Sequence, residues 1–197
     1  LHKSLNKIYP KVITDYRESC PDYKINTIAV EGSSKEILKK RKLRIGFVSG
    51  DYICHPVSYF ISSVLKGINK DLFEIFCYSV KITHLDSLYP DCFFKIVKNL
   101  SPEEFKELIQ KDSIDILFDL SAHTGDNRLD TFVLKPAPIQ ISYCGYPNTS
   151  GIKSMDYHIT DTFCDSDFTQ KYYVEKLLFM NKCFLCYNPY TSVEKLV

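Results

Sequence analysis

From Leu43 onward, short apolar runs alternate with amphipathic stretches, and few folds accept that rhythm. LRIGFVS (43–49), FEIFCYSV (73–80), IDILFDL (114–120), PIQISYC (138–144) and MDYHITD (155–161) are too short for helices and rich in branched and aromatic residues. Such runs predict strands, the first of them buried on both faces. A shorter strand is expected near Phe94–Val97, inside an otherwise irregular stretch from 81 to 99. Between the strands, Pro56 opens the helix-patterned VSYFISSVLKGI. Ser101-Pro102-Glu103-Glu104 is a capping box with Pro at the first helical position, so a helix should run from there to about Lys111. Gly125-Asp126-Asn127 turns into another helix, which ends before Lys135-Pro136. Strands separated by crossover helices predict an α/β fold, a Rossmann-like doubly wound sheet with mostly parallel strands. Residues 1–42 are expected to form a helical lead-in or linker, and 43–190 one Rossmann-like lobe.

Composition narrows the functions open to such a lobe. Twenty-five Lys and Arg balance 24 Asp and Glu, so no global field points to nucleic acid or anionic lipid. The local KEILKKRKLR (35–44) has no interleaved aromatics and reads as a solvated helix end or linker. No run approaches the roughly 18 apolar residues of a membrane span. The start, LHKSLNKIYP, lacks an apolar signal core and an initiating Met, so the sequence reads as a segment of a longer protein. The eight cysteines are scattered, and the single CxxC at Cys183 and Cys186 has no second pair to complete a zinc site. Reduced core cysteines of a cytosolic protein are expected, and the sequons at Asn99 and Asn148 carry no meaning there.

In open parallel sheets, ligands bind beyond the carboxyl ends of the strands. That rule selects SGDYICHP (49–56), DLSAHTGDN (119–127), YCGYPNTSG (143–151) and ITDTFCDSD (159–167). His55 precedes a helix N-terminus, where an imidazole could cap the helix, accept a proton or orient a hydroxyl. Asp119, His123, Thr124 and Asn127 offer carboxylate, imidazole, hydroxyl and amide groups to a sugar or phosphate. His84 and His158 have no such setting and read as ordinary surface or sheet residues. Neither GxGxxG after the first strand nor GxxxxGK[ST] is present, which counts against a dinucleotide site and a P-loop. Asp165-Ser166-Asp167 imitates a metal-binding DxD, but its place beside a predicted helix start fits an N-cap better. No metal is assigned.

LRIGFVSGDYICHPVSYFI, ILFDLSAHTGDNRL, KPAPIQISYCGYPNTSG, MDYHITD and CFLCYNP occur in that order and resemble the N-terminal catalytic lobe of the SPINDLY / O-GlcNAc transferase family. The resemblance runs from about Leu43 to Pro189. It implies the N-terminal lobe of a GT-B-type enzyme that transfers a sugar, with inversion and without a metal or other cofactor, to Ser or Thr hydroxyls of intracellular proteins. It also implies tetratricopeptide helices upstream and a C-terminal lobe that reads the nucleobase, with residues 191–197 starting the crossover to it. Without that lobe little activity is expected. His55 matches the family's active-site histidine. His123 and Thr124 match a loop that contacts the sugar, and Pro147, Asn148 and Thr149 match the turn lining the cleft. Asp119 matches a position that is often acidic or amide-bearing. The donor is GDP-fucose or UDP-N-acetylglucosamine. VSYFI after His55, AHTGDNRL, Asn148 and CFLCYNP lean towards the fucose-using, SPINDLY-like side. Cytoplasm and nucleus are the expected locations, with no nucleic-acid or membrane partner. The competing reading is a truncated, non-catalytic protein-binding module of the same fold.

Overall fold

Each of these apolar runs becomes a strand of a single sheet in a computed structural model that describes residues 41–52, 55–81 and 85–187. The strands are β1 (Leu43–Ser49), β2 (Phe73–Ser79), β3 (Cys92–Ile96), β4 (Ile116–Asp119), β5 (Ile139–Ser142), β6 (Tyr157–Asp161) and β7 (Lys176–Met180). The helices are α1 (Pro56–Gly67), the single turn α2 (Leu85–Leu88), α3 (Pro102–Lys111) and α4 (Leu129–Val133). All six strand pairings are parallel, in the order β3-β2-β1-β4-β5-β6-β7. The expected helical lead-in and the start of a crossover fall on residues 1–40 and 188–197, outside the described residues, as do His84, Cys20 and Cys54.

Side-chain alternation along β1, β2 and β4 explains why these runs are apolar without interruption. Ile45, Phe47, Ile75, Cys77, Ile116 and Phe118 face one core, where α1 contributes Val57, Ile61, Val64 and Leu65. Val48, Phe76, Tyr78 and Leu117 face the other, against Phe105 and Ile109 of α3 and Leu129 and Phe132 of α4. A sheet covered on both faces has no polar side to show.

The capping box at Ser101 forms as expected. The Ser101 hydroxyl accepts from the Glu104 amide at 3.1 Å, and the Glu104 carboxylate accepts from the Ser101 amide at 2.8 Å. Arg41 and Arg44 of the basic segment are paired, with Asp115 at 2.6 Å and Glu74 at 2.8 Å. The described cysteines (Cys77, Cys92, Cys144, Cys164, Cys183 and Cys186) are all free thiols. Among the described residues no helix is long and apolar enough to cross a membrane.

The strand order places the site. After β1 the chain winds outward through β2 and β3, then returns across β1 to begin β4 and winds the other way. The connections leaving β1 and β4 therefore part in opposite directions and open a crevice above the carboxyl ends of those neighbouring strands.

Candidate functional site

The loop leaving β1 is short because His55 ends it. His55 is the N-cap of α1: its Nδ1 accepts from the Val57 amide at 3.3 Å, and Pro56 occupies the first helical position. The Ser58 hydroxyl oxygen closes the box by accepting from the His55 amide at 3.4 Å, and the hydroxyl itself donates to the His55 carbonyl at 2.8 Å. His55 thus caps the helix while its side chain remains 42 % exposed. Asp51, mostly buried on the same loop, places Oδ2 3.7 Å from His55 Nδ1 and Oδ1 3.7 Å from Lys81 Nζ. Lys81 follows β2 and pairs with Asp126 of the β4 loop at 2.8 Å, holding the Asp126 carboxyl low while that hydrogen bond raises the lysine. A Cβ on Gly50 would stand 2.6 Å from the Asp126 Cβ, so the two loops touch at a residue that must lack a side chain.

The loop leaving β4 is built around Asp119. Its two carboxylate oxygens accept from the Ser121 amide at 3.1 Å and the Ala122 amide at 2.9 Å, and the residue is 1 % exposed. Burial pushes its pKa up to about 6, against the opposing pull of those two N–H groups. This turn presents His123 and Thr124 outward. The Thr124 hydroxyl donates to the Ser121 carbonyl at 2.8 Å, which leaves its lone pairs to accept. Asn127 spends its amide internally, donating to the Thr124 carbonyl at 2.8 Å and accepting from the Leu129 amide at 3.2 Å. Arg128 is buried beneath, donating to the carbonyls of Val97 and Leu100.

The third loop, 143–151, lies against the second. Gly145 crosses the backbone of Leu120 and Ser121, and His123 Nε2 meets the Ser150 carbonyl at 2.9 Å. The His123 ring stands edge-on to Tyr146, with centroids 5.3 Å apart. Pro147 and Asn148 are exposed, and Thr149 is half-buried. Glu175, just before β7 and 0 % exposed, braces this turn from beneath: it accepts from the Thr149 hydroxyl and the Ser150 amide, both at 2.6 Å, and from the Ser150 hydroxyl. The Tyr173 hydroxyl donates to the Pro147 carbonyl at 3.3 Å.

The fourth loop corrects one expectation. Asp165 caps no α-helix; a 3-10 turn at Thr169–Tyr172 follows instead. Its carboxylate accepts from the hydroxyls of Thr160 at 2.6 Å and Thr169 at 2.9 Å. Asp161, at the end of β6, accepts from the amides of Phe184, Phe163 and Cys164, which hold it below the usual carboxylate range. Its bond to Phe184 folds the 181–187 segment back over the sheet. His158 lies buried in β6, where desolvation lowers its pKa.

The structure thus brings His55, His123, Thr124 and the 147–149 turn to one end of the sheet, with Asp119 buried beneath them as a brace and Asn127 exposed on the same loop. The sequence reading missed Asp51, Lys81, Glu175 and Tyr173. Asp51 was detectable, standing four residues before His55 just past a strand end. A lone Glu ahead of LLFM carries no comparable signal.

A doubly wound lobe with polar loops gathered at its switch point defines a class, the Rossmann-like lobes, here in the form of a GT-B-type catalytic lobe. Residues 22–195 match the model of glycosyl transferase family 41, and the chain belongs to that family. It is 34 % identical over 158 residues to the probable UDP-N-acetylglucosamine–peptide N-acetylglucosaminyltransferase SPINDLY of Arabidopsis thaliana, covering 76 % of this chain and 17 % of that protein. The SPINDLY protein of Oryza sativa subsp. japonica is 37 % identical over 157 residues, with the same coverage. The similarly named SEC of Arabidopsis thaliana is 34 % identical over 149 residues, covering 73 % and 15 %. Among solved structures, a mutant of the O-GlcNAc transferase of Thermobaculum terrenum superposes with a TM-score of 0.70 at 37 % identity, over 74 % of this chain and 29 % of that one. The chain spans about a sixth of the length of the SPINDLY relatives it matches.

Proposed function

We propose that this lobe forms one wall of the active site of a protein O-glycosyltransferase, which moves a sugar from a nucleoside diphosphate to Ser or Thr hydroxyls of intracellular proteins. The observation that carries this reading is the convergence of three loops at the switch point, where His55, His123, Thr124 and Asn148 stand exposed or half-exposed above buried carboxylates that brace the backbone. Transfer between a hydroxyl and an anomeric carbon draws most of its rate from positioning and charge stabilisation, which a braced wall supplies. The reading takes the reaction as inverting and independent of a metal ion. Asp165, the first carboxylate of the DxD imitation, is engaged by two threonine hydroxyls, which favours a bracing role for it. A second lobe, outside these residues, completes the donor site.

GDP-fucose is the favoured donor on the strength of AHTGDNRL and of Asn148 in the third loop. Fucose has a hydroxyl at C2 where N-acetylglucosamine has an acetamide, so a pocket shaped for one rejects the other by a few kcal/mol. The test is a side-by-side assay of the full-length protein with both labelled donors on a Ser/Thr-rich acceptor, and of the 197-residue chain alone. Transfer from GDP-fucose by the full-length protein only is expected. Transfer from UDP-N-acetylglucosamine alone overturns the donor, robust turnover by the short chain overturns the two-lobe reading, and transfer from neither overturns the function.

A further inference from the structure

The two histidines of the crevice present opposite faces. His123 Nε2 lies 2.9 Å from the Ser150 carbonyl oxygen, which can only accept, so in the neutral ring Nε2 carries the proton. Its Nδ1 is left with a lone pair and no protein partner among the described residues, on an exposed ring held edge-on by Tyr146. At His55 the order is reversed. Nδ1 faces the Val57 amide, which can only donate, so Nδ1 keeps its lone pair and Nε2–H is the group left for a ligand. Freeing a lone pair on His55 Nε2 would move the proton to Nδ1 and break the cap. The nearest carboxylate, Asp51 Oδ2, stands at 3.7 Å, beyond hydrogen-bond distance for the displaced proton.

We infer that the proton of the acceptor hydroxyl passes to Nδ1 of His123, and that His55 serves the reaction as a hydrogen-bond donor through Nε2–H. This inference rests on the transferase reading above. In the step, the bond between the acceptor oxygen and the anomeric carbon forms while the bond from that carbon to the diphosphate oxygen breaks. The bonding pair leaves with the nucleoside diphosphate, and the hydroxyl proton moves to His123. The resulting imidazolium is attracted by the Asp119 carboxylate beneath the same turn, while Nε2–H stays anchored on the Ser150 carbonyl. His55 Nε2–H is then suited to an oxygen that gains negative charge, such as that of the leaving diphosphate.

Two measurements test this. In the 197-residue chain labelled with 15N-histidine, with signals assigned by single substitutions, both rings should be in the Nε2–H form. A Nδ1–H form at His55 or at His123 overturns the inference. In the full-length protein, His123→Ala should lower kcat by roughly 100-fold or more with little change in KM, and added imidazole should restore part of it. His55→Asn, which keeps an oxygen for the cap and an N–H for the ligand, should retain more activity than His55→Ala. If His123→Ala keeps more than about a tenth of kcat and His55→Asn is as inactive as His55→Ala, the base is His55 and the inference fails. Should the unaltered full-length protein transfer no sugar from either donor, the transferase reading falls and takes the proton route with it, whatever the tautomers.

Discussion

The carbonyl oxygen of Leu120 lies where a side chain on residue 145 would begin: a Cβ built on Gly145 would stand 1.7 Å from it and 2.5 Å from the carbonyl carbon. Both are backbone atoms, which cannot swing aside as a flexible side chain could. Contact between the β4 and β5 loops therefore depends on the absence of a single methyl group.

Gly145→Ala should accordingly push the two loops apart, costing about 3 kcal/mol or more because rigid overpacking finds no relief. Urea unfolding of the chain reads that loss. In the full-length protein the same substitution should depress kcat, since the Ser150 carbonyl moves with the loop that anchors His123. A fold and an activity both unchanged would mean that the loops are not in contact.

Glu175→Ala should be among the costliest polar substitutions in the lobe. It removes the acceptor for the Thr149 hydroxyl and for the amide and hydroxyl of Ser150, leaving buried donors unmet, at about 3 kcal/mol. Glu175→Gln keeps one oxygen and should cost less. Hydrogen exchange at the Ser150 amide is the local check, with protection lost in the alanine variant and partly kept in the glutamine variant.

The raised pKa of Asp119 predicts a pH dependence whose sign can be stated. The folded chain holds this proton up to pH about 6, whereas an unfolded Asp releases it near its ordinary value of 3.8. Between those values the native state binds more protons, so the contribution of Asp119 to stability falls as pH rises through that window. Its span is on the order of 2–3 kcal/mol. Asp119→Asn removes the titration. Unfolding free energies of the two proteins from pH 4 to 7 should therefore diverge, with the unaltered chain losing ground relative to the variant. Parallel curves would show that the buried carboxyl does not titrate there.

His55→Ala should lower turnover of the full-length protein by about 100-fold or more, the scale of a positioned proton-transfer or charge-stabilising contact. Loss of the cap costs about 1 kcal/mol besides, too little to unfold the lobe. His84→Ala should be nearly silent in the same assay. Equal losses at the two positions would identify His55 as a structural residue only.

The parallel sheet was legible from the sequence because burial on both faces makes each central strand a continuous apolar run. Its boundaries were less so. Ile114 and Leu120 are core residues that extend the apolar run of IDILFDL beyond the strand Ile116–Asp119. Strand β7 escaped notice because no turn residue separates KLLFM from the YYVE before it. At the site, the rule for strand ends found the His55 and His123 loops unaided. It could not find the brace that joins Lys81 to Asp51 and Asp126, for two of those residues stand 75 positions apart in the sequence and meet only across the sheet. Asp119 read as a ligand-facing group because a polar loop does not reveal which side chains it consumes in its own turns.

The central place of β1 also bears on how the protein is made. Among the described strands of this sheet LRIGFVS leaves the ribosome first, yet one of its two edges has no partner until Ile116–Asp119 follows, some 70 residues later. In the interval β2 can cover only the opposite edge. A nascent chain therefore carries an unpaired, apolar strand edge through most of the synthesis of this lobe, a state open to pairing with other chains. Early engagement by a chaperone that shields extended apolar segments is the protection such a topology calls for, and fragments ending before Ile116 should be recovered as aggregates.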